Sequence, residues 1–256
     1  MRFDVITLFP ELFTPFLSVG ITRKAFETGM VEVHVHNPRD FAPGNYRRVD
    51  DRPFGGGPGM VMLAQPLADC LQAIRAQRDA QGLVPAPVVL FSPLGQALNH
   101  AQVQTWSSSA GAVLICGRYE GLDQRFIDAH VDVQISLGDF VLSGGEIAAI
   151  ALLDAVARLQ PGVLNDAHSH EQDSFNPSLD GLLDCPHYTR PEVWADQPVP
   201  EVLLSGHHER IEHWRRQQRL RITAQRRPDL IEAARLAGRL TRADEQWLAQ
   251  GAQVAP

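Results

Sequence analysis

The chain has 256 residues, of which 44% are hydrophobic and 21% charged, a composition typical of a globular protein. It contains no apolar run long enough to span a membrane, and its amino terminus has no basic segment followed by an apolar stretch. We therefore expect neither a membrane span nor a signal peptide. The three cysteines are too scattered for a zinc or disulfide pattern, so a reducing cytoplasm is the expected setting.

The net charge of −7 argues against a nucleic-acid partner, but the distribution of that charge argues for one. Residues 205–242 hold ten arginines against four acidic residues, a net charge of +6, whereas the remainder is strongly acidic. Such asymmetry is typical of a region that binds a polyanion. On charge alone, a solvated helix face balanced by neighbouring acids is an equally good explanation.

The first half of the chain alternates strand-like and helix-like segments. β-branched runs bounded by turn residues predict five strands, at Phe3–Phe9, Val31–Asn37, Pro87–Ser92, Ala112–Gly117 and Val131–Leu137. Helices are predicted at Ala64–Ala80, at Gln102–Ser109 and after Gly145. This alternation predicts an α/β domain with a largely parallel sheet.

The pattern changes after Pro161, where a polar stretch rich in Asp, Ser, His and Pro shows little periodicity. From Ser205 the apolar residues recur at helical spacing, and Pro228 and Thr241 suit the starts of two further helices. We therefore predict an α/β domain over residues 1–162, a linker over 163–178 and a small all-α domain over 179–256.

Three of the predicted strands end in loops that suggest a ligand site. The loops "FSPLG", "GRYEG" and "SLGDFVLSGGE" begin at Phe91, Gly117 and Ser136. Because ligands bind at the carboxyl ends of strands in open α/β sheets, we expect these loops to surround a small molecule. A capping box of Ser143 and Glu146 would explain the end of the third loop in purely structural terms. The chain lacks a G-x-G-x-x-G motif and a Walker A lysine, which leaves a Rossmann site unsupported and excludes an ATP-binding P-loop.

Eleven stretches occur in one order across nearly the whole chain: "LFPELF", "PRDF", "VDDRPFGGGPGMVM", "SPLGQ", "CGRYEGLDQR", "SLGDFVLSGGE", "PGVL", "DSF", "GLLDCPHYTRPEVW", "VLLSGHHERIEHWR" and "RRPDL". In this set the sequence resembles the bacterial tRNA (guanine-N1)-methyltransferase family, which belongs to the trefoil-knotted SPOUT methyltransferases. The resemblance implies methyl transfer from S-adenosyl-L-methionine to N1 of the guanosine immediately 3′ of the tRNA anticodon (position 37).

The resemblance also implies where the cofactor binds. The family holds S-adenosyl-L-methionine inside a deep trefoil knot, a rare feature that no periodicity argument predicts. Matched by motif, the residues implied to line the pocket are Pro93, Gly117, Tyr119, Glu120, Leu137, Gly138, Asp139, Phe140, Val141, Leu142, Gly144 and Gly145. For each glycine, a turn without ligand contact is the alternative interpretation. Phe140 stands where tyrosine is common in the family.

For catalysis, the resemblance implies that Asp173 is the general base and Arg158 the stabilising cation, with Glu120 as a further carboxylate. Guanine N1 must lose a proton, and the charge that moves towards O6 suits a guanidinium. Without the resemblance, Asp173 would be interpreted as a turn or helix-cap residue. Arg158 would be interpreted as the partner of Asp154 in an intrahelical ion pair. The family's activity depends on Mg²⁺, for which the spacing of potential ligands identifies no residues. Gln172 stands where glutamate is usual, and the loop after Asp173 is longer than in the family pattern.

The expected partners are tRNA and a second copy of the chain. Family members are homodimers whose active site is completed across the interface. Residues expected to contact tRNA are Gly55, Gly56, Gly57 and Gly59 in a mobile loop, with His208, Arg210, Arg215, Arg216 and Arg219 on the basic helix. Two alternatives are a related knotted methyltransferase that acts at another RNA position and an RNA-binding protein without turnover.

Overall fold

The computed structural model of the protein describes residues 1–164 and 169–251. The chain divides into two compact units, Met1–Asn165 and Asp166–Pro256. Residues 165–168 of the predicted linker, and 252–256 of the predicted all-α domain, lie outside the described residues. Among the described helices, none combines the length and the apolar character that a bilayer span requires.

The first unit alternates strands and helices along the chain. Its elements are β1 (Arg2–Ile6), α1 (Phe13–Ser18), α2 (Arg23–Glu27), β2 (Glu32–His36), β3 (Asp50–Asp51), β4 (Val61–Met62), α3 (Ala64–Ala80), β5 (Val88–Ala97), α4 (His100–Ser107), β6 (Val113–Ile115), α5 (Gln124–His130), β7 (Val133–Ser136) and α6 (Glu146–Ala157). All five predicted strands and all three predicted helices are confirmed. The short helices α1, α2 and α5 were not predicted.

The five predicted strands form one parallel sheet in the order β2-β1-β6-β5-β7. The largely parallel α/β class is therefore confirmed. Along β5 the register against β7 shifts, because Phe91 and Gln96 both pair with Ile135. The intervening residues leave the ladder as a loop, and a Cβ at Gly95 would overlap the backbone of β7. Glycine is required at this position for the two chains to approach so closely.

The central strands β1, β6 and β5 are buried on both faces because helices cover each side, as is usual in parallel sheets. Successive residues of β5 alternate between the two layers: Val89 packs with α6, whereas Val88 and Leu90 pack with α3 and α5. The near-continuous apolar character of these strands follows from this double burial. The strands of this sheet therefore form a rigid frame whose carboxyl ends hold the loops described below.

The second unit is largely helical in its carboxyl-terminal part. Its elements are β8 (Val193–Trp194), β9 (Gln197–Pro198), α7 (Glu201–Leu204), α8 (His208–Arg226), α9 (Pro228–Leu236) and α10 (Arg242–Gly251). Pro228 occupies the first turn of α9, and Thr241 exchanges hydrogen bonds with Asp244 at the start of α10, so both predicted helix starts are confirmed. A small core of Leu182, Leu220, Ile231 and Ala234 holds the helices together.

Candidate active site

A cavity of about 370 Å³ opens at the carboxyl ends of β5, β6 and β7. Its walls come from the three loops that the sequence analysis singled out, together with residues of β5, β7, α5 and α6. Apolar side chains such as Leu90, Ile135 and Leu137 lie beside polar ones such as Ser92 and Gln124. A mostly apolar cavity with a few polar groups, at this edge of a parallel sheet, is the usual form of a small-molecule site.

Ten of the twelve residues predicted to hold the cofactor line this one cavity: Pro93, Gly117, Tyr119, Glu120, Leu137, Phe140, Val141, Leu142, Gly144 and Gly145. Gly138 and Asp139 do not line it. Gly138 has a φ of 148° and makes a local turn, in which its N–H donates to Ser136 Oγ and its carbonyl accepts from Phe140 N–H. Asp139 is exposed. We therefore assign these two residues to the turn that carries Phe140 to the cavity wall.

The loops after β6 and β7 are joined by their backbones. Gly145 N–H donates to the Gly117 carbonyl at 3.0 Å, and Arg118 bridges to Gly144 in antiparallel fashion. A Cβ at Gly145 would lie 2.8 Å from Cys116 Cα, so the close approach depends on glycine. Tyr119 has a φ of 61°, which is uncommon for a residue other than glycine and marks a sharply turned backbone at the cavity.

Glu146 does not form the predicted capping box. The residue before α6 is Gly145, and no side chain caps this helix. Glu146 is instead 1% exposed, and its Oε1 accepts hydrogen bonds from Thr7 Oγ1 at 2.8 Å and Arg118 Nε at 3.1 Å. Its Oε2 lies 3.0 Å from the same Nε without a well-aligned donor of its own among the described residues. The capping-box prediction is therefore wrong, because a buried ion pair occupies the carboxylate.

Arg118 connects this buried carboxylate to the cavity wall. Its Nη1 donates to the Ser143 carbonyl at 3.1 Å, and its guanidinium lies 4.4 Å from the centre of the Phe9 ring. One side chain thus fixes the loop that supplies Gly144 and Gly145. Arg118 is a residue of the site that its sequence pattern did not predict. The only available signal was its position inside the "GRYEG" loop.

A two-stranded hairpin borders the same cavity. Hydrogen bonds join the antiparallel pair β3–β4 to the loop at Gly121: Glu120 N–H donates to the Met60 carbonyl at 2.9 Å, and Met62 N–H donates to the Gly121 carbonyl at 2.8 Å. A Cβ at Gly59 would overlap the Glu120 side chain. The four predicted tRNA-contacting glycines, Gly55, Gly56, Gly57 and Gly59, all have positive φ and lie in this hairpin's loop.

Of the three predicted catalytic residues, Glu120 lines the cavity, whereas Arg158 and Asp173 lie in different units. Arg158 is half-buried at the carboxyl-terminal cap of α6, and its N–H donates to the Asp154 carbonyl. Asp173 is half-buried, and its backbone N–H donates to the His170 carbonyl. The general base, the stabilising cation and their structural alternatives all stay predictions.

The predicted phosphate contacts on α8 divide into two groups. Arg219 is 6% exposed and pairs with Glu212 at 2.8 Å, and Arg216 donates to both Asp180 and Asp244. Because carboxylates of their own unit hold these two guanidiniums, Arg216 and Arg219 are the weaker candidates for phosphate contacts. His208 and Arg210 are exposed, Arg215 is half-buried beside Glu212 at 3.9 Å, and these three are the stronger candidates. All five contacts stay predictions.

Comparisons with known proteins agree on one family. The model of a family described as "tRNA (Guanine-1)-methyltransferase TrmD" matches residues 1–233. A tRNA (guanine-N(1)-)-methyltransferase of Albidiferax ferrireducens is 74% identical over 249 residues, which cover 97% of this chain and 99% of the relative. A protein of the same name from a Polaromonas species is 72% identical, and the match covers 97% of this chain and 96% of the relative. Another, from Bordetella pertussis, is 59% identical, and the match covers 97% of each chain.

Proposed function

The chain belongs to the tRNA (guanine-1)-methyltransferase family, and on this premise we propose that it methylates N1 of the guanosine immediately 3′ of the tRNA anticodon. The methyl donor in this proposal is S-adenosyl-L-methionine, since the family consists of methyltransferases. The observation that carries the proposal is the convergence of ten family-implied residues on one cavity. Neither alternative, another RNA position or binding without turnover, is favoured by an observation on the described residues.

The cavity suits the proposed donor. Its volume of about 370 Å³ lies within the range of roughly 300–1,000 Å³ that is usual for small-molecule sites. Glu120 is the single carboxylate among the described residues that line it, and it would face the positively charged part of the donor. S-adenosyl-L-methionine supplies an electrophilic methyl group when it is bound. The apolar residues Leu90, Leu137 and Ala148 would hold its uncharged part away from water.

The chemistry at guanine N1 requires a base and a counter-charge. We propose that the Asp173 carboxylate accepts the N1 proton as the new N1–carbon bond forms. Arg158 would stabilise the negative charge that the departing proton leaves at O6. The products are N1-methylguanosine in tRNA and S-adenosylhomocysteine, with the proton held on Asp173. To act as the base, the Asp173 carboxylate must come within hydrogen-bond reach of N1.

We propose that the loops around the cavity form the trefoil knot of the SPOUT methyltransferases. The register shift in β5 and the backbone joint between Gly117 and Gly145 support this arrangement. We also propose a homodimer with a shared active site. Apolar side chains are exposed beside the buried ion pair, at Phe9 and at Ile147 on α6, and a second copy would cover them.

Magnesium dependence is part of the proposal. Mg²⁺ prefers oxygen ligands, keeps several waters and uses only one or two protein carboxylates, so Glu120 would be a candidate ligand if the donor leaves one of its carboxylate oxygens available. The one group of three potential ligands in the described chain is Asp184, Cys185 and His187 in the second unit, and its thiol and imidazole do not suit this ion. Because tRNA is the proposed substrate, we propose the cytoplasm as the setting of the reaction.

The decisive experiment uses purified protein, labelled S-adenosyl-L-methionine and two tRNA transcripts that differ only in guanosine or adenosine 3′ of the anticodon. We expect label in the guanosine transcript alone, recovered as N1-methylguanosine, and loss of activity when magnesium is chelated. Label in both transcripts would move the target to another position in the tRNA. Binding of tRNA without label in either transcript would favour the non-catalytic alternative.

A further inference from the structure

Two aromatic side chains in the segments on either side of β3 are almost completely exposed to solvent. Phe54 has no measurable burial, and Tyr46 is 95% exposed. An aromatic ring left in water gives up the free energy that its burial would gain, and so it contributes nothing to the folding of this unit. Exposed rings of this kind, when they cluster, mark a surface that meets a partner.

Both rings are carried by defined turns of the backbone. Phe54 lies in a turn closed by a hydrogen bond from Gly56 N–H to the Pro53 carbonyl at 3.2 Å. Tyr46 lies in a turn closed by a bond from Arg47 N–H to the Gly44 carbonyl. The Tyr46 turn precedes β3, and the Phe54 turn lies in the loop that joins β3 to its antiparallel partner β4. The rings are thus presented by ordered backbone, which lowers the entropic cost of a contact.

The hairpin that carries these turns is fixed to the cavity wall. Three backbone hydrogen bonds join residues Met60 and Met62 to the loop from Glu120 to Asp123, at 2.8–3.0 Å. Glu120 and Leu122 line the cavity, and Glu120 packs against Gly59. A substrate that reaches the cavity over this border therefore meets the hairpin that carries Phe54.

Three arginines close to the two rings in the sequence suit an anion. Arg47 and Arg48 follow Tyr46 directly, Arg52 lies two residues before Phe54, and all three are exposed. Arg47 lies 2.9 Å from Asp40 and Arg48 lies 3.7 Å from Asp51, and exposed pairs of this kind are weak and easily exchanged. A phosphate diester would compete for these guanidiniums with its own charge-assisted hydrogen bonds.

We propose that Tyr46 and Phe54 stack on unpaired nucleobases of the tRNA anticodon loop while the neighbouring arginines contact its phosphates. Single-stranded RNA is recognised by aromatic stacking of splayed bases combined with backbone charge neutralisation, which is the combination present here. The inference rests on the proposed function, because it assumes that the cavity serves a tRNA nucleotide. The two rings and the neighbouring arginines would form the surface that holds the rest of the anticodon loop beside that cavity.

The test compares Phe54→Ala, Tyr46→Ala and the double variant with wild type, with Phe54→Leu and Phe54→Trp as side-chain controls. Val84→Ala is the matched surface control, because Val84 is 59% exposed at the opposite, amino-terminal end of β5. Measurements are the Kd and KM for tRNA, the Kd for S-adenosyl-L-methionine and the solution mass. We expect each alanine variant to weaken tRNA binding by about 5- to 100-fold, the range typical of one lost stacked base. Leucine should behave as alanine, whereas tryptophan should retain binding and show fluorescence quenching when tRNA is added.

Cofactor affinity and mass should stay at the wild-type values in every variant. A double variant that binds tRNA as wild type does would overturn the inference. A change of mass would overturn it by assigning the rings to contact between copies, and retention of binding by Phe54→Leu would overturn stacking in favour of a plain apolar contact. Wild-type methylation of the guanosine transcript is measured in parallel, so the two proposals fail separately. If the wild type transfers no methyl group, the tRNA Kd values still decide the stacking.

Discussion

Replacing Glu146 with glutamine tests whether the buried ion pair organises the cavity wall. The substitution keeps the shape of the side chain but removes the charge that faces Arg118. Thr7 can still donate to the glutamine carbonyl oxygen, whereas Arg118 loses its ionic partner. Arg118 Nη1 also donates to the Ser143 carbonyl, so a displaced guanidinium would release the loop that supplies Gly144 and Gly145. We therefore expect loss of both stability and cofactor affinity.

The magnitude follows from burial. Breaking a buried pair by removing one partner costs roughly 3–5 kcal/mol, and a hydrogen bond to a charged group contributes about 1.5–3 kcal/mol. The Arg118 side chain is 18% exposed and can recover part of its hydration, so the cost should fall in the lower of these two ranges. We expect about 2 kcal/mol less free energy of unfolding, which corresponds to a fall in Tm of roughly 4–8 °C for a protein of this size.

A double-mutant cycle of Glu146→Gln and Arg118→Gln isolates the pair. Urea unfolding gives the stability of each variant, and calorimetric titration gives its Kd for S-adenosyl-L-methionine. Coupling of about 1 kcal/mol or more is expected, since contacting residues in one network do not contribute additively. Thr7→Val is the matched control, because it removes a donor to Glu146 without touching the link to Ser143 and should leave cofactor affinity nearly unchanged. Additive effects, or a normal cofactor Kd in Glu146→Gln, would refute the reasoning.

Three further outcomes are expected. Asp173→Asn should bind the cofactor nearly normally and lose most of its turnover, as single-turnover assays would show; full activity would remove it as the base. Burial alone would raise the pKa of Asp244, but hydrogen bonds from Arg216 and Thr241 outweigh that effect and lower the pKa to about 2. Since this value lies below the ordinary 3.8, the Asp244 carboxylate stabilises the folded state fully above about pH 4 and less as the pH falls towards 2. In urea unfolding, Asp244→Asn should therefore lower the free energy of unfolding by about 2 kcal/mol at pH 6 and by almost nothing near pH 2. Arg210→Ala should reduce the slope of log K for tRNA binding against log salt concentration by about one, without loss of stability. Arg219→Ala should instead lower Tm. A smaller salt slope and an unchanged Tm in Arg219→Ala would favour Arg219 as a phosphate contact.

The fold class was predictable because the strands are long apolar runs between turn residues. A parallel sheet that is buried on both faces needs apolar residues at successive positions, and such a run, "PVVLFS", is visible in the sequence of β5. The amphipathic helix α3 was predicted with both ends correct. The helices α1, α2 and α5 are five to seven residues long, too short for a 3.6-residue period to stand out, and they were missed.

The candidate site was predictable only in part. Loop composition located the cavity, and the family resemblance supplied most of its lining, but neither indicated the ion pair of Arg118 with Glu146. These two residues are 28 positions apart, and Thr7 is 139 positions from Glu146, so only the folded sheet brings them together. The spacing of Ser143 and Glu146 fits a local cap, and this local pattern gave the wrong prediction because tertiary burial used the carboxylate elsewhere. For the same reason, the charge count did not show that carboxylates of the same unit hold Arg216 and Arg219.

The glycines of the cavity are poor reporters of cofactor binding, because the fold needs them first. A Cβ at Gly145 would meet the backbone of Cys116 at 2.8 Å, so alanine there would disturb the joint between two loops whatever binds. One at Gly117 would meet the end of the Leu122 side chain at the same distance, and Leu122 itself lines the cavity. Lost activity in such variants would not identify a ligand contact. Phe140 is the better probe, because it lines the cavity and is 56% exposed, so the core does not depend on its ring. Phe140→Ala should therefore keep the wild-type Tm and weaken S-adenosyl-L-methionine binding by about tenfold, the equivalent of 1.4 kcal/mol. An unchanged Kd together with an unchanged Tm would place the cofactor elsewhere and contradict the assignment of this cavity.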